Sequence, residues 1–522
     1  MNLPAGLSGR LHRIAPALIA LGLVLIGIVS RPLIPIDETR YLTVSWEMFQ
    51  GHDWLVSHLN GQPYNDKPPL LFWLINLVWS ITGASEFWGR LTPALFFPVS
   101  VWLTGVLGRE IGGSAIADRA GYVAVGVTAF AIFGSLTMFD ALLTSVALVG
   151  LVGLVDASKG HLVRGFAVAG LAIGFGVLTK GPVILIHLLP AALLAPLWAP
   201  RPQRWTLWYA GVAASLAIGA VIGLTWALNA AHAGGEAYGQ RLLVGQTAGR
   251  VANAFTHKRP IWFFVALAPV MLFPWWLSRG FWAGVLDRIR GDERRMLRLC
   301  WIVAGATFLI FSLISSKQIH YVLPAIPLLA IGFAGLTVLP AEPNREVLFA
   351  PVLAGLGVIT LALHFMPKVV GAPVAVWPGL LLIAAAAGVW FLRARVGPSG
   401  LAASVAVFLA VHLACLTGTV APQDIAWVAR RLQSQPEAPM AVIGAYSGEF
   451  GFTARLTKPI DEITLAQAPV WRATHPDGIV IEMARRQPRG GPYTEVKPYR
   501  GGTLAIWVPM TRALASADAS GS

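Results

Sequence analysis

Apolar runs of about 20 residues recur along most of the chain, and they constrain its fold most strongly because a helix of that length crosses a lipid bilayer. The runs lie near residues 14–34, 88–108, 118–135, 137–156, 164–179, 181–199, 207–230, 261–278, 298–315, 319–339, 347–366, 374–393 and 400–420. Charged residues make up 12% of the chain, which is about half their share in soluble domains. The sequence therefore predicts an α-helical polytopic membrane protein with about 13 transmembrane helices.

Arginine and lysine are distributed unevenly between the loops, and this predicts which side of the membrane each loop faces. Basic loops lie at 109–119, 159–164, 201–204, 279–298 and 393–395. All of these loops lie on the same side of the membrane only if a shorter apolar run, 69–83, does not cross the membrane and lies in its interface. Because basic loops face the cytoplasm, we expect a cytoplasmic N-terminus and an outward-facing C-terminal end.

Three segments then face outwards: residues 32–88, residues 231–260 and the chain after residue 420. In the last of these, alternating apolar runs at 440–446, 478–482 and 503–508 predict short strands. Residues 423–432 have the pattern of an amphipathic helix. We therefore expect a membrane-embedded domain over 1–420 and a small α/β domain over 421–522, with a disordered end after Arg512.

Composition also excludes some classes of function. The formal net charge of +14 is scattered along the chain, without a basic helix that carries interleaved aromatic residues, so we expect no nucleic-acid partner. The sequence has no glycine-rich phosphate loop, which argues against a cytoplasmic nucleotide donor. The two cysteines, Cys300 and Cys415, lie in apolar runs and predict packing positions rather than a disulfide framework or a zinc site.

The first outer segment holds the densest group of polar residues. It opens with Asp37-Glu38-Thr39-Arg40-Tyr41 and closes with Tyr64-Asn65-Asp66-Lys67-Pro68-Pro69. Further ionisable residues fall at the same outer level, namely Asp140, Lys180, Arg250 and Lys317. Ionisable residues at membrane depth are costly and indicate function by default, although a lysine near a helix end can also simply extend to the interface.

The chemistry follows from the convergence of these residues on one face. Several cations near the membrane surface suit a phosphate group at the depth of the lipid headgroups, because Arg and Lys bind phosphate through charge-assisted hydrogen bonds. A carboxylate beside them can serve as a general base towards an acceptor. Transfer of a sugar from a lipid phosphate requires both features, since the leaving phosphate must be stabilised as its charge develops.

The strings Asp37–Tyr41, Gly51–Val56, His58–Tyr64 and Asp66–Leu70 resemble the first-loop signature of the bacterial lipid A aminoarabinose transferases. These enzymes belong, with the protein O-mannosyltransferases, to the C-type membrane glycosyltransferases. Later motifs of the same group resemble Leu178–Pro182 and Lys317–Pro324, and the resemblance covers about residues 31–340. It implies a C-type glycosyltransferase fold in a bacterial inner membrane, with the C-terminal domain in the periplasm.

The resemblance also implies roles for individual residues. Asp37 would be the catalytic carboxylate. The donor phosphate would be bound by Arg40, Lys67, Lys180, Arg250 and Tyr321. Supporting positions would be Glu38, Tyr41, Tyr64, Asp140 and Lys317. The family's acidic residue before the lysine implies a divalent metal ion; here that residue is Asp66, shorter than the usual Glu. In relatives, an acidic or histidine residue lies shortly before the arginine of the second outer segment. Here that arginine is Arg250, and Val244–Arg250 contains no acidic or histidine residue.

The function that the resemblance implies is transfer of a sugar from a polyprenyl-phosphate donor to an envelope acceptor such as lipid A, by a monomer surrounded by membrane lipids. Two alternatives stay open: transfer to a protein or polysaccharide hydroxyl by the same chemistry, and transport of a lipid-linked sugar by a flippase. An ionised phosphate acceptor needs little deprotonation, so Asp37 would then orient the acceptor or a metal ion, whereas a hydroxyl acceptor needs a general base.

Overall fold

Apolar helices form most of the structure, a computed structural model that describes residues 5–200, 204–243, 258–288, 295–337, 347–489 and 493–507. In the first half of the chain they are α1 (Ala5–Val29), α2 (Asp37–Gly51), α3 (Leu70–Thr82), α4 (Glu86–Ala94), α5 (Phe96–Gly112), α6 (Ser114–Val125), α7 (Thr128–Gly134), α8 (Phe139–Ser158), α9 (Leu162–Lys180), α10 (Ile184–Leu193), α11 (Ala195–Trp198), α12 (Trp205–Ala233) and α13 (Glu236–Gln240).

The second half of the membrane region continues in the same way. Its α-helices are Phe263–Met271, Arg279–Arg288, Arg298–Leu313, Ile326–Thr337, Phe349–His364, Pro367–Val370, Trp377–Phe391 and Val396–Leu416. Short 3-10 helices lie at Gly181–Val183, Trp275–Leu277, Arg295–Leu297, Ile319–Ala325 and Ala421–Gln423. The largest buried apolar cluster lies between α5, α8, α9, α10 and the helices Arg298–Leu313 and Ile326–Thr337.

Seven stretches of the described residues are long and apolar enough to cross a membrane. They are Glu86–Gly112, Phe139–Ser158, Leu162–Leu193, Trp205–Ala233, Arg295–Leu313, Ile319–Thr337 and Gly397–Leu416. The pair α6 and α7, which meet at a 66° bend, adds an eighth if both belong to one span. The polytopic α-helical fold is confirmed, whereas the count of about 13 spans stays a prediction.

The stretch Leu162–Leu193 doubles back near Lys180. Residues from both of its halves, among them Ala169 and Ala192, line the same small apolar cavity. At the far end of this hairpin, the ring of Trp208 lies 5.1 Å from Phe166 and 6.1 Å from Trp198, centroid to centroid. Lys180 therefore occupies the turn between α9 and α10, as the sequence predicts.

Side-chain contacts place parts of three basic loops, at Glu110–Arg119, Lys159 and Arg295, at the opposite end of the bundle from Lys180. Lys159 pairs with Glu110, and Arg119 donates a hydrogen bond to the carbonyl oxygen of Thr337. Arg295 likewise donates to the carbonyl oxygen of Pro196. These loops therefore lie on one side, as their charge predicts.

The first outer segment folds into α2, a tight hairpin and α3. Strands β1 (His58–Leu59) and β2 (Gln62–Pro63) pair antiparallel, and the turn between them has positive φ at Asn60 (56°) and Gly61 (72°), as a two-residue hairpin turn requires. Glu47 of α2 accepts hydrogen bonds from both turn amides. Helix α3 has 13 residues, fewer than the ~20 that a perpendicular span requires.

The C-terminal region forms a five-stranded sheet in the order β4-β3-β5-β7-β6. Its strands are β3 (Met440–Ile443), β4 (Asp461–Ile463), β5 (Ile479–Ala484), β6 (Tyr493–Tyr499) and β7 (Gly502–Trp507). Strand β3 is parallel to β4 and β5, whereas β7 is antiparallel to β5 and β6. Two helices, Ala426–Gln433 and Ala468–Thr474, complete the small α/β fold.

The three strands and the amphipathic helix expected here are confirmed within a few residues. Strands β4 and β6 were not predicted, because β4 has three residues and both are largely exposed. The expected disordered end after Arg512 lies outside the described residues, and the domain boundary at residue 421 stays a prediction.

Candidate active site

Asp37 is the first residue of α2, where the positive end of the helix dipole favours a carboxylate. The hydroxyl of Tyr41, one turn later, donates a hydrogen bond to Asp37 Oδ1 at 3.2 Å. Burial, with the nearby Asp37 carboxylate, raises the pKa of Tyr41, so its hydroxyl stays a donor. The Tyr41 ring packs edge-on against Phe139 at 4.9 Å, which brings Asp37 close to the start of α8.

Glu38 points away from Asp37 and is only 2% exposed. It forms a two-point ion pair with Arg31 and accepts hydrogen bonds from the backbone amides of Ile34 (3.0 Å) and Thr137 (2.7 Å). Although burial opposes ionisation, Arg31, Arg90 and the Thr137 amide lower the pKa of Glu38 to about 2. Glu38 therefore ties the start of α2 to the turn before α8, and the two adjacent acids are not equivalent.

A second polar cluster lies where α8, α9 and the 3-10 helix Ile319–Ala325 meet. Asp140, in the first turn of α8 and 2% exposed, accepts a hydrogen bond from Lys180 Nζ at 2.6 Å. His320 Nε2 lies 3.9 Å from the other Asp140 oxygen, and Lys180 Nζ lies 5.0 Å from the centroid of the Tyr321 ring. Residues from three distant parts of the sequence thus share one site.

Electrostatic contacts join this cluster to the first outer segment. The charge of Lys67 acts on both Asp140 and His320, and the charge of Asp37 acts on His320. Arg40 lies beside the hydroxyl of the buried Tyr64. Arg40 Nε also donates a hydrogen bond, 3.2 Å long, to the carbonyl oxygen of Ser447 in the C-terminal domain. The structure therefore brings Asp37, Arg40 and Lys67 to the same end of the bundle as Lys180 and Tyr321.

Lys317, which also occupies an outer turn, is held by backbone carbonyl oxygens. It is 4% exposed, and its Nζ donates to the carbonyl oxygens of Ile314 (2.6 Å) and Arg259 (3.1 Å). These bonds hold the end of the second outer segment against the turn at residues 315–318. Arg250, the remaining predicted phosphate ligand, lies outside the described residues.

Asp66 was predicted to hold a divalent metal ion, which protein oxygen ligands would have to coordinate. Asp66 is exposed, and the described part of the chain contains no group of three or more His, Cys, Asp or Glu side chains placed to hold a metal. These residues do not form a metal site of their own, so the metal ion stays a prediction and no chemical step is assigned to it.

Two histidines of this site were not among the predicted residues. His320 belongs to the string that carries Tyr321 and contacts Asp140. His187, 2% exposed within α10, interacts electrostatically with Lys180 and Asp140, and its Nδ1 lies 3.3 Å from Thr307 Oγ1. A histidine inside an apolar run, as in Leu185-Ile186-His187-Leu188, is the sequence signal that could have indicated it.

Known proteins resemble this chain in sequence and in fold. Residues 66–226 match the family described as dolichyl-phosphate-mannose-protein mannosyltransferase. An undecaprenyl phosphate-alpha-4-amino-4-deoxy-L-arabinose arabinosyl transferase of Sodalis glossinidius is 28% identical over 442 residues, which cover 78% of this chain and 76% of the relative. The corresponding Pseudomonas aeruginosa (strain LESB58) transferase is 31% identical, over 60% of this chain and 57% of the relative.

Among solved structures, ArnT from Cupriavidus metallidurans bound to undecaprenyl phosphate superposes with a TM-score of 0.73 at 19% identity, covering 94% of this chain and 97% of that chain. Its apo form gives a TM-score of 0.72. The helical bundle, the outer cluster of cations and carboxylates and the small C-terminal sheet define a multi-pass inner-membrane glycosyltransferase with the C-type fold. The chain is similar in sequence and fold to the ArnT-like aminoarabinose transferases, and residues 66–226 are similar to the protein mannosyltransferases.

Proposed function

We propose that this enzyme transfers a sugar from undecaprenyl phosphate to lipid A at the periplasmic face of the inner membrane. The observation that carries the proposal is the convergence of Asp37, Arg40, Lys67, Lys180 and Tyr321 at one end of the bundle. The donor is supported by the names of the relatives, which are undecaprenyl phosphate-aminoarabinose arabinosyl transferases. The acceptor is the one that the resemblance of the first-loop motifs implies.

In the proposed reaction an acceptor oxygen attacks C1 of the donor sugar, and the bond from C1 to the phosphate oxygen breaks. The leaving polyprenyl phosphate takes the bonding electron pair and gains negative charge. Arg40, Lys67 and Lys180 stabilise that charge, because preformed cations in a partly desolvated site need little reorganisation. Asp140 holds Lys180 by the 2.6 Å hydrogen bond, and Tyr321 lies beside the same ammonium group.

Asp37 faces the acceptor in this proposal, and its task depends on the acceptor. A phosphate of lipid A is already ionised near neutral pH, so Asp37 orients it or the sugar. A hydroxyl acceptor would lose its proton to Asp37 as the new bond to C1 forms. In both cases Tyr41 holds the carboxylate in place through its hydrogen bond.

The orientation belongs to the same proposal. The grouping of the basic loops at the end opposite the site supports a cytoplasmic N-terminus and a periplasmic C-terminal domain. The protein is proposed to act as a monomer.

Reconstitution of the purified protein with undecaprenyl phosphate aminoarabinose and lipid A tests the function. We expect mass spectrometry to detect lipid A that has gained the sugar, and an equal amount of released undecaprenyl phosphate. Detection of the sugar on a protein or polysaccharide, and not on lipid A, would contradict lipid A as the acceptor and support transfer to a hydroxyl group. Movement of intact donor across liposomes, with no transfer to any acceptor, would identify a transporter and contradict the proposal.

A further inference from the structure

The loop that follows β3, residues 444–452, lies directly against α2. Arg40 Nε donates to the carbonyl oxygen of Ser447 at 3.2 Å. Thr43 Oγ1 donates to the carbonyl oxygen of Gly448 at 2.8 Å and accepts from the amide of Phe452 at 3.0 Å. Arg40 and Thr43 lie three residues apart, so they share one face of the helix. Three hydrogen bonds therefore attach this loop to the helix that begins with Asp37.

This close approach depends on glycine. Gly448 has φ of +87°, and a Cβ atom there would lie 2.8 Å from Leu59 Cδ1 and 3.1 Å from Arg40 Cα. Another residue would have to adopt a left-handed conformation and would also push on the backbone of α2. The loop thus contacts both the main chain and the guanidinium group of Arg40.

A buried acid stabilises the same loop from the other side. Glu449 is 3% exposed, and its Oε2 accepts a hydrogen bond from the amide of Ser447 at 2.7 Å. Ser447 therefore links the two groups, since its amide is held by Glu449 while its carbonyl oxygen holds Arg40. Burial raises the pKa of Glu449, while the positive charge of Arg40 favours its ionised form.

We propose that Ser447, Gly448 and Glu449 form a positioning element that orients Arg40 towards the donor phosphate. The guanidinium group is a planar fork, so an anchor at Nε sets the plane of its two terminal nitrogens. The C-terminal domain is then part of the active site. Loops at the carboxyl ends of parallel strands commonly form sites in α/β sheets, and here such a loop serves a site in the membrane domain. The inference rests on the proposed function, in which Arg40 binds the donor.

Gly448→Ala tests the element, with Gly501→Ala as its matched control. Gly501 lies in the same domain with φ of +80°, and a Cβ there would meet nothing within 4 Å, so both substitutions introduce similar backbone strain. We expect Gly448→Ala to lower kcat/KM for the donor about a hundredfold, as misplaced reacting groups do. We expect Gly501→Ala to stay within about twofold of the wild type. Equal kcat/KM for the two variants would overturn the proposal.

Glu449→Gln keeps the shape of the side chain and removes its charge, so it tests the element even if Gly448→Ala fails to fold. Its control is Glu437→Gln, in the same domain, whose side chain is 82% exposed. We expect Glu449→Gln to raise the donor KM about tenfold, the effect of weakening one buried charged hydrogen bond, while the control leaves it unchanged. A loss of thermal stability at unchanged KM would show a purely structural role and contradict the proposal.

Binding of undecaprenyl phosphate alone separates a failure of this inference from a failure of the proposed function. Native mass spectrometry of the protein in lipid nanodiscs measures that binding without any transfer. We expect Gly448→Ala to weaken this binding when Arg40 is present. In an Arg40→Lys background the Nε anchor is already lost, so we expect Gly448→Ala to cause no further weakening. Unchanged binding in Gly448→Ala would overturn the positioning element, whereas a wild type that binds but never transfers would overturn only the proposed function.

Discussion

The two adjacent acids at the start of α2 differ because a helix turns by about 100° per residue. Asp37 lies on the face of Tyr41, one turn away, and is half-buried. Glu38 faces the protein interior and meets Arg31 and two backbone amides. That difference was predictable from the spacing of Asp37, Arg40 and Tyr41, but the partners of Glu38 come from the turn before α8 and could not be read from the motif.

Glu38→Gln should destabilise the protein by roughly 3 kcal/mol, because it leaves Arg31 buried without its counter-charge. The pH dependence has a definite sign. Since the pKa of Glu38 is lowered from 4.5 to about 2, its contribution is complete above pH 4.5 and is lost as the pH falls towards 2. Tryptophan fluorescence should show the wild-type melting temperature decline across that window, and Glu38→Gln should lack this part of the decline. Identical profiles would contradict the ion pair.

At the scale of elements, two lysines at outer turns show what a sequence can and cannot distinguish. Lys180 and Lys317 both end apolar runs, and the sequence predicts Lys180 as a ligand of the donor phosphate and Lys317 as a supporting residue. Lys180 meets Asp140 and Tyr321, whereas Lys317 is held by backbone carbonyl oxygens. Hydrophobic periodicity places both turns at the same level, but the direction of each side chain depends on the packing of distant helices. The contact of Arg40 with Ser447, 407 residues later, had no sequence signal for the same reason.

The two lysines should therefore respond differently to alanine. Lys180→Ala removes a cation beside the leaving phosphate, so we expect kcat to fall about a hundredfold or more. Lys317→Ala removes a donor from two backbone carbonyl oxygens, so we expect lower thermal stability, by about 1–3 kcal/mol, with kcat largely retained. Steady-state kinetics and melting curves on both purified variants measure the contrast. Equal losses of kcat would place Lys317 in the site as well.

At the scale of the whole molecule, the basic loops and the polar site occupy opposite ends of the bundle. Gln62, in the hairpin of the first outer segment, and Ser114, at the start of α6, are both exposed and mark those two ends. The positive-inside rule assigns the first to the periplasm and the second to the cytoplasm.

Cysteine labelling checks this orientation. In a background with Cys300 and Cys415 replaced by alanine, a membrane-impermeant maleimide added to intact cells should label Gln62→Cys and spare Ser114→Cys. Opening the inner membrane should then expose Ser114→Cys. Labelling of both positions in intact inner membranes, or of Ser114→Cys alone, would contradict the topology.

Asp37→Asn is the decisive variant, because Asp37 is the carboxylate proposed to face the acceptor. The measurement is single-turnover sugar transfer by the purified variant, with undecaprenyl phosphate binding and melting temperature recorded on the same sample. We expect transfer to slow by about a hundredfold or more, because the carboxylate that orients the reacting groups is lost. Binding and stability should stay close to the wild type, since asparagine can still accept the Tyr41 hydrogen bond. Transfer at the wild-type rate would contradict the assignment of the active site.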